Sequence, residues 1–330
     1  MNEEQLPKPS DPGDSFVHNF ERIASNVETV IQGKREVIEL ILLALVAEGH
    51  VLVEDVPGVG KTQLAKSVAR SIDGAFSRIQ FTPDLLPSDV TGISVWDREK
   101  RAFEFKHGPV FANVVVGDEI NRASPKTQSA LLEAMEERQV TSDGVTRPLS
   151  LPFVVIATQN PLEHEGTYPL PESQLDRFMM RVVIGYPSRE KELEILDTHG
   201  VRSAYQGLEP VASLGDVSDM ISWAQAITVS SSVKSYVLDI VAATRSHPGI
   251  ALGASPRSSL FLVRLARARA AAAGRGYVLP DDIKALAIPV LDHRMAMHPD
   301  AMMRGETADV ALMEILDRLS VPGTTSRAVP

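Results

Sequence analysis

Short apolar runs recur through the first 184 residues: Val51–Val53, Phe76–Gln80, Asn113–Gly117, Phe153–Thr158 and Met179–Ile184. They do not alternate apolar with polar positions, and helical stretches separate them. Such runs predict five parallel strands buried on both faces of one sheet. Ahead of them, residues 20–48 read as two helices broken at Gly33, the second carrying an apolar stripe of Val37, Ile38, Ile41, Leu42 and Leu45. A helix after the first strand is expected to end near Gly74. Two segments do alternate. GISVWDREKRAFEFKHGPV turns around a charged centre, and QVTSDGVTRPLSL carries Asp143-Gly144 between β-prone arms, so both predict β-hairpins. After Tyr186-Pro187-Ser188 only helical patterns follow: Arg189–His199, Val217–Ala226, Ser232–Arg245, Pro256–Ala273, Pro280–Met295 and Ala308–Leu319.

The expected organisation is a polar, Pro-rich leader over 1–18, an α/β domain over 19–186, an all-α domain over 187–320 and a loose tail over 321–330. The leader has neither the basic nor the apolar region of a signal peptide. The apolar run Val37–Val53 is interrupted by Glu39, Glu48, Gly49 and His50, which argues against a membrane span.

Composition narrows the chemistry. A net charge of −10 disfavours general affinity for nucleic acid or an anionic membrane. The absence of cysteine excludes disulfides, thiolate metal sites and cysteine nucleophiles, and suits a cytoplasmic protein. The eight histidines form no metal-binding spacing, and Glu163-His164-Glu165 sits in a Gly- and Pro-rich stretch that reads as a solvated loop. Arg264, Arg267 and Arg269 read as a solvated or subunit-facing helix side, and Asp281-Asp282 as a helix start.

Three patterns carry candidate chemistry. Gly58-Val59-Gly60-Lys61-Thr62 follows the first strand and opens a helix, as the end of a phosphate-binding loop does. Backbone N–H groups would cradle phosphates, Lys61 would reach the β- and γ-phosphates and Thr62 would ligate Mg²⁺. The regular spacing would place glycine at position 55, where this chain has Asp55, so the geometry of the first turn is open. Next, strand VVVGDE delivers Asp118 and Glu119 at its C-terminal end, where open α/β sheets bind ligands. These two acids suit a Mg²⁺-side carboxylate and a carboxylate that polarises an attacking water, and the alternative is an acidic turn. Finally, Asn160 ends the strand Phe153–Thr158 at the same sheet edge, either to hold water or phosphate or as a turn former before Pro161.

Taken together, EDVPGVGKT, VVVGDEINRASPKTQSALLEAMEERQVT, FVVIATQNPLEHEGTYPLPESQLDRF and SPRSS resemble the MoxR family of AAA+ ATPases over about residues 20–300. The resemblance implies a P-loop AAA+ α/β domain with a five-stranded parallel sheet and two hairpin inserts, followed by an all-α lid. It implies ATP and Mg²⁺ as cofactors, with Val56, Pro57, Gly58, Val59, Gly60, Lys61, Thr62 and Gln63 around the phosphates and Gln32 and Gly33 beside the adenine. Asp118 and Thr62 would hold the metal, Glu119 would act on water, and Asn160 would be the sensor 1 residue. Arg177 would be an arginine finger serving a neighbouring subunit; the alternative is a surface pair with Asp176. Arg257 lies in the first turn of a helix, where the dipole disfavours a cation, so an anionic partner is expected, and the resemblance makes it a sensor 2 residue on the γ-phosphate. A hexameric ring is implied, remodelling client proteins that include one with a von Willebrand factor A domain. Two other readings stay open: a nucleotide-gated binding module with little turnover, and a nucleic-acid motor.

Overall fold

The computed structural model describes residues 11–56, 58–160, 166–186, 189–190 and 207–322. The five expected strands are present as β1 (Val51–Glu54), β2 (Phe76–Gln80), β5 (Val114–Asp118), β8 (Val154–Gln159) and β9 (Met180–Val182). They form one sheet in the order β2-β5-β8-β1-β9, every neighbouring pair parallel. Successive side chains point to opposite faces. Val51 and Val53, Val114 and Val116, and Val154 and Ile156 therefore enter one core, while Leu52, Val115, Val155 and Ala157 enter another. Because β1, β5 and β8 are buried on both faces, no polar alternation is written into them, whereas the edge strand β2 exposes Arg78 and Gln80.

Helices α1 (Pro12–Glu28), α2 (Arg35–Val46) and α3 (Lys61–Ser71) cover the first face. The second face is covered by α4 (Pro87–Thr91) and α5 (Pro125–Glu137). The start of α1 corrects the expected leader of 1–18. Asp11 caps the helix by accepting from the Gly13 amide at 2.7 Å, Pro12 opens it, and Phe16, Phe20, Ile23 and Val27 recur on one buried stripe. Only residues 1–10 of that leader fall outside the described residues.

Both hairpins form: β3 (Gly92–Asp97) with β4 (Ala102–His107), and β6 (Gln139–Ser142) with β7 (Val145–Pro148). Asp143 and Gly144, at φ 54° and 74°, make the two-residue turn whose twist matches its strands. A Cβ at Gly92 would lie 2.4 Å from the Lys106 carbonyl oxygen, which is why glycine starts the first hairpin. The hairpins are joined, since Ser94 Oγ donates to Asp143 Oδ2 at 2.5 Å and the Arg147 guanidinium sits 3.8 Å from the Phe105 ring centroid.

After the sheet and a short helix α6 (Glu172–Leu175) come α7 (Leu214–Ala226), α8 (Ser231–Ser246), α9 (Pro256–Ala272), α10 (Pro280–Leu291), α11 (Pro299–Met303) and α12 (Ala308–Arg318). Most of the expected Arg189–His199 helix lies outside the described residues, as does the tail from 323. The helical region also contains a short antiparallel pair, β10 (Ile250–Leu252) with β11 (Ala296–Met297), that a helices-only pattern omits. Leu262, Leu265, Ala266, Leu286 and Val290 from this region share the core beneath α1 and α2. Among the described residues, no helix is long and apolar enough to cross a membrane.

Candidate active site

A cavity of about 310 Å³ opens at the C-terminal ends of the sheet strands, lined by Gly58, Gly60, Lys61, Thr62, Gln63, Arg78, Gln80, Asp118, Glu119, Thr158 and Asn160. Three separate patterns of the sequence thus meet at one place. The parallel register brings them together: Gln80 pairs with Asp118 across β2 and β5, and Val53 pairs with Thr158 across β1 and β8. Gly58 and Gly60 adopt φ of 90° and 92°, a region side chains disfavour, and Gly60 hands the loop directly to α3. Asp55 is not among the positive-φ residues, so the first turn asks for no glycine at that position.

The acids are held by neutral and cationic groups. Asp118 is buried, with Oδ2 accepting from Arg78 Nε at 2.6 Å and from Thr62 Oγ1 at 3.3 Å, and Oδ1 accepting from Thr158 Oγ1 at 3.2 Å. Glu119 stands in the left-handed region at φ 57°, ψ 51°. Its amide donates to Thr158 Oγ1 at 2.9 Å, and its Oε2 accepts from Gln80 Nε2 at 2.8 Å and Arg122 Nη1 at 2.9 Å. For a non-glycine residue that backbone costs about 1–2 kcal/mol, and Thr158 holds it there. Lys61 donates to the Asp55 carbonyl; burial pushes its ammonium below the ordinary lysine range, opposed by Asp55, Asp118 and Glu119.

A nucleotide and Mg²⁺ fit this donor set. Thr62 and Asp118 offer oxygen ligands side by side, and Mg²⁺ commonly takes one or two protein oxygens and fills the rest with phosphate and water. Gln32 and Gln63 each bury an Oε1 without a hydrogen-bond partner among the described residues. Gln32 and Gly33 do not line the cavity; their neighbour Ile31 reaches the loop, its Cδ1 3.8 Å from the Cβ position of Gly60. Val56 and Val59 flank the loop without lining the cavity, and Pro57 lies outside the described residues, as does the trio 163–165.

Arg177 and Arg257 are elsewhere. Neither lines the cavity; both pair with Glu136 near the end of α5, Arg177 Nε at 3.2 Å from Oε2 and Arg257 Nη2 on Oε1. The anion beside this first-turn arginine is Glu136. Ser255, which caps α9 ahead of Arg257, donates to Asp176 at 3.1 Å, and Arg294 Nε donates to the same carboxylate at 2.9 Å. Asp176 therefore fixes the two arginine-bearing segments to each other, and the alternative Asp176–Arg177 pair gives way to Asp176–Arg294. Burial lowers Arg294 to about 10, with Asp176 opposing the shift. Arg78, Gln80, Thr158 and Glu136 were missed in the sequence; the signal for the first two was a pair of polar residues two apart on a strand next to the one delivering the acids.

A loop turning into a helix at the end of β1, two acids at the end of β5 on the far side of β8, and a helical region packed beside them define a nucleotide-hydrolysing AAA protein. Residues 50–180 match the model of the ATPase family associated with various cellular activities (AAA), and residues 242–315 match the AAA lid domain. A Mycobacterium tuberculosis protein named Chaperone MoxR1 is 41% identical over 315 residues, 93% of this chain and 83% of its own. Protein MoxR of Methylorubrum extorquens is 32% identical over 324 residues, covering 89% and 93%, and the Bacillus subtilis protein YeaC, uncharacterized by its own name, is 50% identical over 301 residues, covering 91% and 94%. A crystal structure of a putative ATPase from Cytophaga hutchinsonii superposes with a TM-score of 0.88 at 39% identity, covering 94% of this chain and 97% of that one. The chain belongs to the MoxR family of AAA+ ATPases.

Proposed function

We propose that the chain is an ATP-hydrolysing, chaperone-like motor whose site is the cavity between Lys61, Asp118 and Glu119. The observation that carries this reading is the convergence of Lys61, Thr62, Asp118, Glu119 and Asn160 on one cavity from three strand ends. Lys61, one of whose three N–H donors meets the Asp55 carbonyl, reaches the β- and γ-phosphates with the others. Thr62 and Asp118 hold Mg²⁺, which when bound offsets phosphate charge. Glu119 orients the attacking water and takes its proton, with Gln80 and Arg122 setting where its carboxylate points. Asn160 holds the water or a γ-phosphate oxygen, and Gln32 and Gly33 line the adenine side.

Arg177 and Arg257, joined through Glu136 and Asp176, are offered together to a neighbouring subunit, which favours a ring, a hexamer in this reading. An arginine supplied in trans contributes on the order of 10³–10⁵ in rate. In an isolated chain both arginines stay on Glu136, so turnover is slow there; that pairing is what a nucleotide-gated module with little turnover would also show. The clients are partner proteins, including one with a von Willebrand factor A domain, with the joined hairpins as the moving contact. The net charge of −10 disfavours the nucleic-acid motor, and the cysteine-free composition suits the cytoplasm. The test is phosphate release from ATP as a function of protein concentration. The reading expects specific activity to rise with concentration and to vanish in Lys61→Ala; flat activity, or activity surviving Lys61→Ala, contradicts it.

A further inference from the structure

Asp55 occupies the position where the regular loop spacing has glycine, and all its polar groups are engaged. Its N–H donates to the Gln159 carbonyl at 3.3 Å, one residue before Asn160. Its carbonyl accepts from Lys61 Nζ. In the side chain, Oδ1 accepts from the Val56 amide at 2.8 Å, while Oδ2 accepts from the amides of Ile184 and Gly185 at 2.8 and 2.6 Å. Only 7% of the residue is exposed. Ile184 and Gly185 belong to the segment that leaves β9 for the helical region. From the other side the same segment is held by Lys34 Nζ, which donates to the carbonyls of Ile184 at 2.6 Å and Tyr186 at 2.9 Å. Gly185, at φ 66°, makes the bend that presents two successive amides to one oxygen. Lys34 itself stands immediately before α2, directly after Gln32-Gly33.

We propose that Asp55 is a positioning residue that couples the phosphate-binding loop to the segment leading into the lid. The proposal rests on the reading of the cavity as an ATP site. The Lys61 ammonium carries three N–H donors, one of them on the Asp55 carbonyl, so a phosphate that draws on the others acts on residue 55 through the same side chain. The same residue grips the connector through its carboxylate, and a glycine there would give an ordinary loop with no grip. Loop and lid would then move independently.

The experiment has two arms. In the first, amide hydrogen exchange at Ile184 and Gly185 is followed in the full chain without nucleotide and, in Glu119→Gln, with ATP and Mg²⁺. Exchange slow without nucleotide and changed by about tenfold or more with it is the expected result; equal rates overturn the coupling. In the second, Asp55→Gly restores the regular motif, and Asp55→Asn keeps one carbonyl oxygen for the two connector amides. Loss of two hydrogen bonds to a carboxylate gives an expected fall in kcat of about tenfold or more in Asp55→Gly, with the Kd for ATP within about threefold of the parent, and Asp55→Asn between the two. Wild-type kcat in Asp55→Gly, or a kcat that falls and a Kd that rises together equally in both variants, overturns the proposal. If Asp55→Gly does not fold, Asp55→Asn and the first arm decide. If the parent chain neither binds nor hydrolyses ATP, the reading of the site falls and the coupling falls with it. Slow exchange at both amides, lost in Asp55→Asn, would then leave Asp55 as a structural clamp alone.

Discussion

Thr158 is the residue through which the two acids are fixed, and replacing it with valine removes its hydrogen bonds without changing its shape. Its hydroxyl donates to Asp118 Oδ1 at 3.2 Å and accepts from the Glu119 amide at 2.9 Å, and the side chain is buried. In Thr158→Val the half-buried Glu119 amide loses its acceptor, about 1 kcal/mol at the low end of the range for an unsatisfied group, and Asp118 loses a donor worth about as much. Together these come to about 2 kcal/mol, or roughly 30-fold if the whole of it falls on the reacting geometry. The backbone of Glu119, held in the left-handed region, is where it should fall, because Thr158 Oγ1 is the acceptor of that amide. The assay is steady-state phosphate release at saturating ATP, with thermal melting beside it and Thr158→Ser as the control that keeps the hydroxyl. The expected result is a kcat lowered about 30-fold in valine and nearly retained in serine. A valine variant within about twofold of the parent, or serine and valine equally impaired, would refute the assignment.

Further predictions concern assembly and pH. Lys61→Ala and Arg177→Ala should each be inactive alone. In a 1:1 mixture about a quarter of interfaces should pair an intact Lys61 with a neighbour's intact Arg177, so activity should return to about that fraction if rings exchange subunits; no recovery in mixed rings contradicts a finger acting in trans. His50 is buried, its Nε2 donating to the Met135 carbonyl at 3.0 Å and its Nδ1 accepting from the Val155 amide at 3.0 Å, the tautomer those partners require. Burial lowers it from 6.5 to about 4. The unfolded chain takes up this proton near pH 6.5 and the folded one only near pH 4, so stability is present above pH 6.5 and falls between those values, by up to about 3 kcal/mol. Urea melts of the parent and of His50→Gln across that window measure it, and equal acid sensitivity of the two would exclude His50 as the cause.

Much of the sheet was legible because parallel strands buried on both faces, such as Val114–Asp118, leave nearly unbroken apolar runs, and the edge strand Phe76–Gln80 was also readable to the residue. The second hairpin was legible because Asp143-Gly144 is a demand of backbone geometry that shows in the residues themselves. Less visible was what depends on packing. Helix α1 starts inside a polar stretch because Phe16 finds a core that composition cannot anticipate. The β10–β11 pair joins segments far apart in the chain, with no local pattern to announce it. In the site, the loop, both acids and Asn160 were readable as motifs, whereas Arg78, Gln80 and Thr158 reach them through strand register. The dipole argument for Arg257 correctly required an anion, but Glu136 of the same chain meets it. Asp55, a departure when read against the loop spacing, is accounted for by two amides some 130 residues further on.

The most direct measurement of the central claim is ATP turnover by Glu119→Gln beside the parent chain at a concentration that supports assembly. With the base removed and the loop intact, the account expects kcat to fall by about 10²-fold or more while the Kd for ATP stays within about threefold. Parent-level turnover in Glu119→Gln would contradict the account, because the chemistry would then belong to some other group.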